Sequence, residues 1–269
     1  MLSGVTPVIL TLNEQANIGR ALERLRWAQE IVVVDGGSRD DTRRIAESFR
    51  GVRFIEREFD THADQWNFAV HQTGIRTEWV LALDADYILS EELTREIGKL
   101  APTSEMAGFR ASFIYCSYGE KLRGSLYPPV TVLFRRERAR YVQQGHTQRV
   151  ALEGEVGVLS APIYHDDRKP MARWLESQSR YMRIEAEKLR SAPRNALRWQ
   201  DRLRLLRVVA PVAVPFYLLL LRGLILDGWA GVFYAWQRAV AEAMLSLYLI
   251  EGDIASRFSD SSGGIPPKP

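Results

Sequence analysis

The chain has 269 residues, 46% of them hydrophobic, and its 36 basic residues nearly balance 33 acidic ones, leaving a net charge of +3. That composition supports a packed core, excludes wholesale disorder, and argues against a protein that coats nucleic acid. Cys116 is the single cysteine, so no disulfide forms within the chain, and a reducing, cytoplasmic setting is expected. Met1–Gly4 shows no basic stretch leading into an apolar one, so no secretory signal is expected.

The first hundred residues alternate between two periodicities. Val5–Leu12 is a β-branched and apolar run that predicts a strand, and Asn17–Trp27 carries Ile18, Leu22 and Leu25 on one helical face. Ile31–Val34 reads as a buried parallel strand broken by Asp35-Gly36-Gly37-Ser38. A helix over Asp41–Phe49, a strand over Val52–Ile55, a helix over His62–His71 and a buried strand over Trp79–Leu83 follow. This alternation predicts an α/β fold: a mixed, mainly parallel sheet with flanking helices. Ligands of such sheets bind beyond the carboxyl ends of the strands, where Thr11, Asn13, Asp35, Asp84 and Asp86 fall.

From Gly108 to about Ile163 short strand-like pieces such as Ala111–Tyr115 and Thr131–Phe134 alternate with turns, and Met171–Arg190 is helical again. Residues 1–190 are therefore expected to form one domain, with halves of about 1–105 and 106–190. Beyond it Lys188, Arg190, Arg194, Arg198, Arg202, Arg204 and Arg207 lead into the uncharged run Val208–Leu221. That run is shorter than the roughly 20 residues a span needs. Residues 191–258 are expected to form a helical appendage that docks on an anionic membrane surface through those arginines, or else packs as a cap or forms a transmembrane hairpin. Residues 259–269 are expected to be a disordered tail.

Asp84-Ala85-Asp86 puts two carboxylates at the end of a buried strand. A hard divalent cation is held by one or two carboxylates plus the phosphates of its substrate, and it neutralises charge on a departing diphosphate. Asp35 opens a Gly-Gly-Ser turn and is either turn chemistry or a carboxylate for a ribose or base. His165 ends an apolar strand before Asp166-Asp167; it is either a satisfied strand-end histidine or a contributor to the metal shell. No G-x-G-x-x-G follows a strand and no G-x-x-x-x-G-K-[ST] loop is present, so neither phosphate-binding fingerprint applies.

Four motifs in order resemble the inverting family-2 glycosyltransferases: Val8-Ile9-Leu10-Thr11-Leu12-Asn13-Glu14, Ile31-Val32-Val33-Val34-Asp35-Gly36-Gly37-Ser38-Arg39-Asp40, Gln65-Trp66-Asn67-Phe68-Ala69 and Leu83-Asp84-Ala85-Asp86. The resemblance implies a GT-A (Rossmann-like) fold and a nucleotide-sugar donor, a UDP- or GDP-sugar, with Mg2+ or Mn2+. Thr11, Glu14 and Asp35, with Asn13 beside them, would hold the nucleoside. Asp84 and Asp86 would serve ribose and metal, and His165 would complete the metal shell. An inverting transfer also needs a base for the acceptor hydroxyl. Asp166 or Asp167 is expected to supply it, either being equally a turn acid at a helix start.

The later segments around Gly145-His146-Thr147, Ile163-Tyr164-His165 and Leu226-Asp227-Gly228-Trp229 are similar to bacterial transferases of lipopolysaccharide core and related envelope glycans. Many of those carry His-Glu where this chain has His146-Thr147, so no Glu base transfers to that position. The implied acceptor is a glycolipid or lipid-linked saccharide, met by a protein peripheral to the cytoplasmic face of the inner membrane. A polyprenyl phosphate acceptor, already ionised, and a catalytically degenerate GT-A binding module are the alternatives.

Overall fold

The computed structural model describes residues 1–144, 147–193, 195 and 197–261, and the side chains of 144, 147 and 259–261 are not among those described. Gly145, His146 and Arg194 lie outside the described residues. The chain divides into two compact units, Met1–Lys169 and Pro170–Pro269.

In the first unit β1 (Val5–Thr11), β2 (Ile31–Asp35), β3 (Val52–Glu56) and β4 (Trp79–Asp84) alternate with α1 (Ile18–Glu23), α2 (Thr42–Glu47) and α3 (His62–His71). There follow β5 (Tyr87–Leu89), α4 (Glu91–Lys99), β6 (Met106–Ala111), β7 (Phe113–Ser117), β8 (Glu120–Lys121), β9 (Val130–Arg135), β10 (Ala139–Gln144), β11 (Thr147–Leu152), β12 (Glu155–Val158) and β13 (Ile163–His165). The main sheet has the order β12-β6-β9-β4-β1-β2-β3. Its β3-β2-β1-β4 half is parallel, and β9 runs antiparallel to both β4 and β6. A smaller sheet of order β5-β13-β7-β8 carries His165.

Period-two alternation within the strands divides the core into two faces. Ile9, Val33, Leu81 and Leu83 pack with Ile18, Leu22, Leu93 and Ile97 of α1 and α4 on one face. Val8, Val32, Val34 and Val80 pack with Trp66, Ala69 and Val70 of α3 on the other. The Gln65-Trp66-Asn67 motif is explained by that second face. Asn67 exchanges two hydrogen bonds with the Tyr141 backbone, both at 2.9 Å, and Trp66 stacks on the Tyr141 ring. The hairpin β10–β11 is thereby fixed to α3. His71 Nε2 lies 2.9 Å from the Ala139 carbonyl and does the same at the other end of α3.

Two elements differ from the sequence expectation. α1 ends at Glu23, and the chain continues in turns to Trp27 although Leu25 stays fully buried. α4 escaped the periodicity reading because its charged first turn, Glu91-Glu92, hides the Leu93–Ile97 pair. Ser90 caps it by accepting a hydrogen bond from the Leu93 amide at 3.1 Å.

The second unit contains α5 (Met171–Ser191), α6 (Trp199–Arg204), α7 (Val209–Phe216), a π turn (Tyr217–Leu221), a 3-10 turn (Leu224–Asp227) and α8 (Gly228–Ser261). The helix α5, expected as the end of the domain over residues 1–190, thus belongs to the C-terminal unit. α8 continues through Ser261, into the segment expected as a tail. Met182, Ala186 and Leu189 of α5 pack on Ala241, Leu245 and Leu249 of α8. Pro215 lacks the amide that a regular turn needs, and the next turn widens to the π form. At Gly228 (φ 59°, ψ −140°) the backbone adopts a conformation open only to glycine. Among the described residues no single helix is long and apolar enough to cross a membrane; Val209–Leu221 and Leu224–Phe258 pass that test only together, bent by 75°.

Leu81→Ala, at a fully buried position in the middle of β4, is expected to cost about 2–5 kcal/mol, read as a lower calorimetric melting temperature. Cys116 lies buried in β7, and burial first, then the neighbouring Asp166, pushes its thiol up to about 11. Because only the thiolate reacts, iodoacetamide is expected to leave the native protein unlabelled at neutral pH and to label it in urea.

Candidate active site

Register brings the motifs together. β1 pairs Thr11 with Asp35 of β2 and, one residue earlier, Leu10 with Asp84 of β4. The loops after these three strands therefore open at one end of the sheet. Asn13, with a left-handed backbone (φ 54°), binds the two nearer loops together: its amide donates to Ser38 Oγ at 2.7 Å, and its Oδ1 accepts from the Arg39 amide at 2.8 Å. The Glu14 amide donates to Thr42 Oγ1 at 2.7 Å. Asp35 is buried, and it accepts from the amides of Gly37 and Ser38 and from Ser38 Oγ. These bonds close the turn after β2, while Thr11 Oγ1 beside it is buried with no partner among the described residues. Leu12 and Phe59, both largely exposed apolar side chains, flank Gly36 at this edge.

β5 follows β4 directly and pairs with β13, placing His165 opposite Tyr87. His165 Nε2 lies 3.1 Å from Asp86 Oδ2. Burial works against charge on both, yet the ion pair wins: Asp86 is held at about 2 by His165, and His165 is raised above the usual histidine value by Asp86. Asp84 is pushed up to about 6, first by burial and then by Asp86. The rings of Tyr87, Tyr115 and Tyr127 surround His165, with centroids 4.8–5.3 Å away, and the hydroxyls of Tyr87 and Tyr127 meet.

The segment after His165 turns back towards the start of α1. Asn17, wholly buried, donates to Glu14 Oε2 at 2.8 Å and Asp167 Oδ1 at 2.9 Å, and accepts from Arg20 and from the Arg168 amide. Lys169 Nζ lies 2.6 Å from Glu14 Oε1 and 3.5 Å from Asp167 Oδ2. Glu14 is nevertheless raised to about 7, chiefly by burial. Glu14 thus shares its surroundings with Asp86 and Lys169.

Asp166 and Asp167 part company. Asp166, 5% exposed, accepts from Arg20 at 2.6 Å and from Arg168 at 3.0 Å on Oδ2, and from the Gly119 amide at 3.1 Å on Oδ1. Both oxygens accept hydrogen bonds, so this carboxylate ties α1 to the β7–β8 turn. Asp167 Oδ1 takes the Asn17 side-chain and Lys169 backbone N–H groups, and Oδ2 lies 3.5 Å from the Lys169 ammonium. Lys169, Arg20 and the three tyrosines were not singled out from the sequence. Arg20 and Asp166 are 146 positions apart, and no local pattern links them.

Among the described residues no group of three or more His, Cys, Asp or Glu side chains is placed to hold a metal ion by itself. The arrangement suits an open site instead. Asp86 Oδ1 and His165 Nδ1 are both buried without a partner. An oxygen-rich donor set of one or two carboxylates, completed by phosphate oxygens, is what Mg2+ and Mn2+ take. These residues therefore fit a divalent cation that arrives with its substrate.

The pattern of the family described as Glycosyl transferase family 2 matches residues 6–157. The chain is 28% identical over 193 residues to the lipopolysaccharide core biosynthesis glycosyltransferase LpsC of Rhizobium meliloti, covering 66% of this chain and 69% of that protein. It is 38% identical over 94 residues to an uncharacterized glycosyltransferase of Rickettsia bellii, covering 35% of this chain and 31% of that one. Similar solved structures include glucosyl-3-phosphoglycerate synthase from Mycobacterium tuberculosis with Mn2+, UDP-glucose and phosphoglyceric acid (19% identity, TM-score 0.47, 69% of this chain and 78% of that one). Another is S. aureus TarS with UDP-GlcNAc (15% identity, TM-score 0.42, 94% and 91%). The family pattern spans more than half of the chain and contains the Thr11, Asp35 and Asp84–Asp86 motifs on their parallel strands, so the protein is a GT-A glycosyltransferase and belongs to glycosyl transferase family 2.

Proposed function

We propose that this glycosyltransferase moves a sugar, with inversion, from a nucleotide-diphosphate sugar to an envelope glycolipid or lipid-linked saccharide, working peripherally at the cytoplasmic face of the inner membrane. The observation that carries the chemical part is the convergence of Thr11, Asp35, Asp84 and the Asp86–His165 pair at one sheet end. The similarity to LpsC supports the envelope acceptor.

In this reading Thr11 and Asp35 orient the nucleoside against the Leu12 and Phe59 side chains. Asp86 and His165, with Asp84, hold Mg2+ or Mn2+. When bound, the ion neutralises charge that builds on the departing diphosphate. Lys169 adds fixed positive charge beside the same carboxylates. Asp167 Oδ2 takes the acceptor hydroxyl proton as that oxygen bonds to the anomeric carbon and the bond from that carbon to the diphosphate oxygen breaks. The arginine clamp on Asp166 holds the 163–169 segment so that Asp167 and His165 stay in place.

A second reading draws on the hydrogen bonds that occupy Asp167 on one oxygen. A polyprenyl phosphate acceptor is already ionised and needs no base, so the sugar would pass directly to its phosphate oxygen. Turnover insensitive to Asp167→Asn would favour it.

Thermal unfolding with a panel of UDP- and GDP-sugars, with and without Mg2+ or Mn2+, is expected to show a metal-dependent stabilisation by one donor. Asp86→Ala should remove that stabilisation and lower turnover by roughly a thousandfold, with a lower ligand-free melting temperature because His165 loses its buried partner and an unchanged circular dichroism spectrum; retained activity would refute the assignment. The two acids are expected to separate in a variant pair. Asp167→Asn should lower kcat by about 10²–10⁴-fold with little change in stability. Asp166→Asn should cost about 1–3 kcal/mol of stability through its lost hydrogen bonds. A loss of kcat from Asp166→Asn with unchanged stability would return the base to that residue.

A further inference from the structure

The C-terminal unit exposes apolar side chains in an ordered pattern. Along α7 and the π turn, Val212, Phe216 and Leu220 recur every fourth residue on the outer side, with Leu221 beside them, while Ala210 and Leu218 are buried on the inner side. Phe216 is 61%, Leu220 65% and Leu221 78% exposed. Past the bend Leu226 is exposed, and Trp229, which opens the outer line of α8, is 87% exposed.

The basic run expected to meet lipid headgroups is largely occupied inside the same unit. Arg204 makes three hydrogen bonds to the buried Glu242, and Arg207 pairs with Asp253 at 2.6 Å. Lys188 lies 3.2 Å from Glu185, and Arg190 donates to the Gly252 carbonyl. Arg198 and Arg202 remain at the surface, on either side of the exposed Trp199.

We propose that the outer face of α7 and its π turn inserts into one leaflet of a lipid bilayer, held there by apolar burial, with the basic run contributing little. The proposal rests on the peripheral location given above and is independent of the transfer chemistry. A lipid occupant fits better than a protein one because Val208–Leu221 carries no charged side chain. Protein interfaces need about one hydrogen bond per 100–200 Å², whereas acyl chains need none. Arg198, Arg202 and Trp199 suit the phosphate layer at the rim. Insertion is in the membrane plane. Val209–Leu221 would reach only about 20 Å at 1.5 Å per residue, short of a hydrocarbon core of about 30 Å. Arg222 and Asp227 at the bend also oppose tip-first entry.

The test is co-sedimentation of the full chain with vesicles of phosphatidylcholine alone and of phosphatidylcholine with about a quarter phosphatidylglycerol. Each is run at about 0.1 M and about 1 M salt, where the screening length falls from roughly 10 to 3 Å. Binding to both vesicles at both salts is expected. The combined change Phe216→Ser, Leu220→Ser and Leu221→Ser should weaken it by roughly tenfold or more with an unchanged circular dichroism spectrum, and Arg198→Ser with Arg202→Ser by less than about threefold. Binding confined to anionic vesicles at low salt would overturn the proposal, as would an undiminished triple variant. A dimer that the triple variant converts to monomer would assign the face to a second copy. A protein that turns over its donor yet never sediments would sink this inference and leave the transfer chemistry standing.

Discussion

Strand β1 lies in parallel register between β2 and β4, and this pairing places Thr11 beside Asp35 and Leu10 beside Asp84. A slip of one residue would reverse which side chains face each layer, because strand side chains alternate between faces. Ile9 would then leave the α1–α4 face and Val8 the α3 face, and both layers would lose fully buried contacts. The apolar core therefore fixes the register, and the register fixes the spacing of the polar groups at the strand ends. The catalytic end of the sheet follows from packing elsewhere.

Five neighbouring carboxylates then find different surroundings. Asp86 stays ionised because His165 faces it, while Asp84 and Glu14 are driven up by burial to about 6 and about 7. Asp166 is tied by two arginines, and Asp167 by an asparagine and a lysine. Such a cluster is costly without positive charge beside it, and Lys169 supplies part of that charge from the end of the segment that also carries His165. The rings of Tyr87, Tyr115 and Tyr127 keep His165 in an apolar wall on its other sides.

The C-terminal unit solves a different problem. Its ion pairs Arg204–Glu185, Arg204–Glu242 and Arg207–Asp253 join α6 and the following turn to α5 and α8. Arg204 and Arg207, which look in the sequence like part of a surface for anions, are therefore internal ties. The apolar side chains that look like a buried helix are partly outside. This inversion of the usual arrangement is consistent with an environment on one side that is not water.

Much of the fold could be read from the chain alone, because it rests on local periodicity. Strands β1 to β4 and helix α3 fall close to the apolar runs that predict them, and Asp35, Asp84 and Asp86 lie at strand ends as their positions imply. The short α1 and the charged α4 were less legible, since tertiary packing and a serine cap set their limits. The sequence also determined that a single cysteine excludes a disulfide and that no apolar run is long enough to span. Only the tertiary structure decided the parts taken by Asp166, Lys169, Asn17 and the three tyrosines, and which arginines of the basic run are occupied. The reason is physical: a carboxylate or a guanidinium acts through whatever lies within about 3 Å of it, and those partners come from strands and helices far apart in the chain.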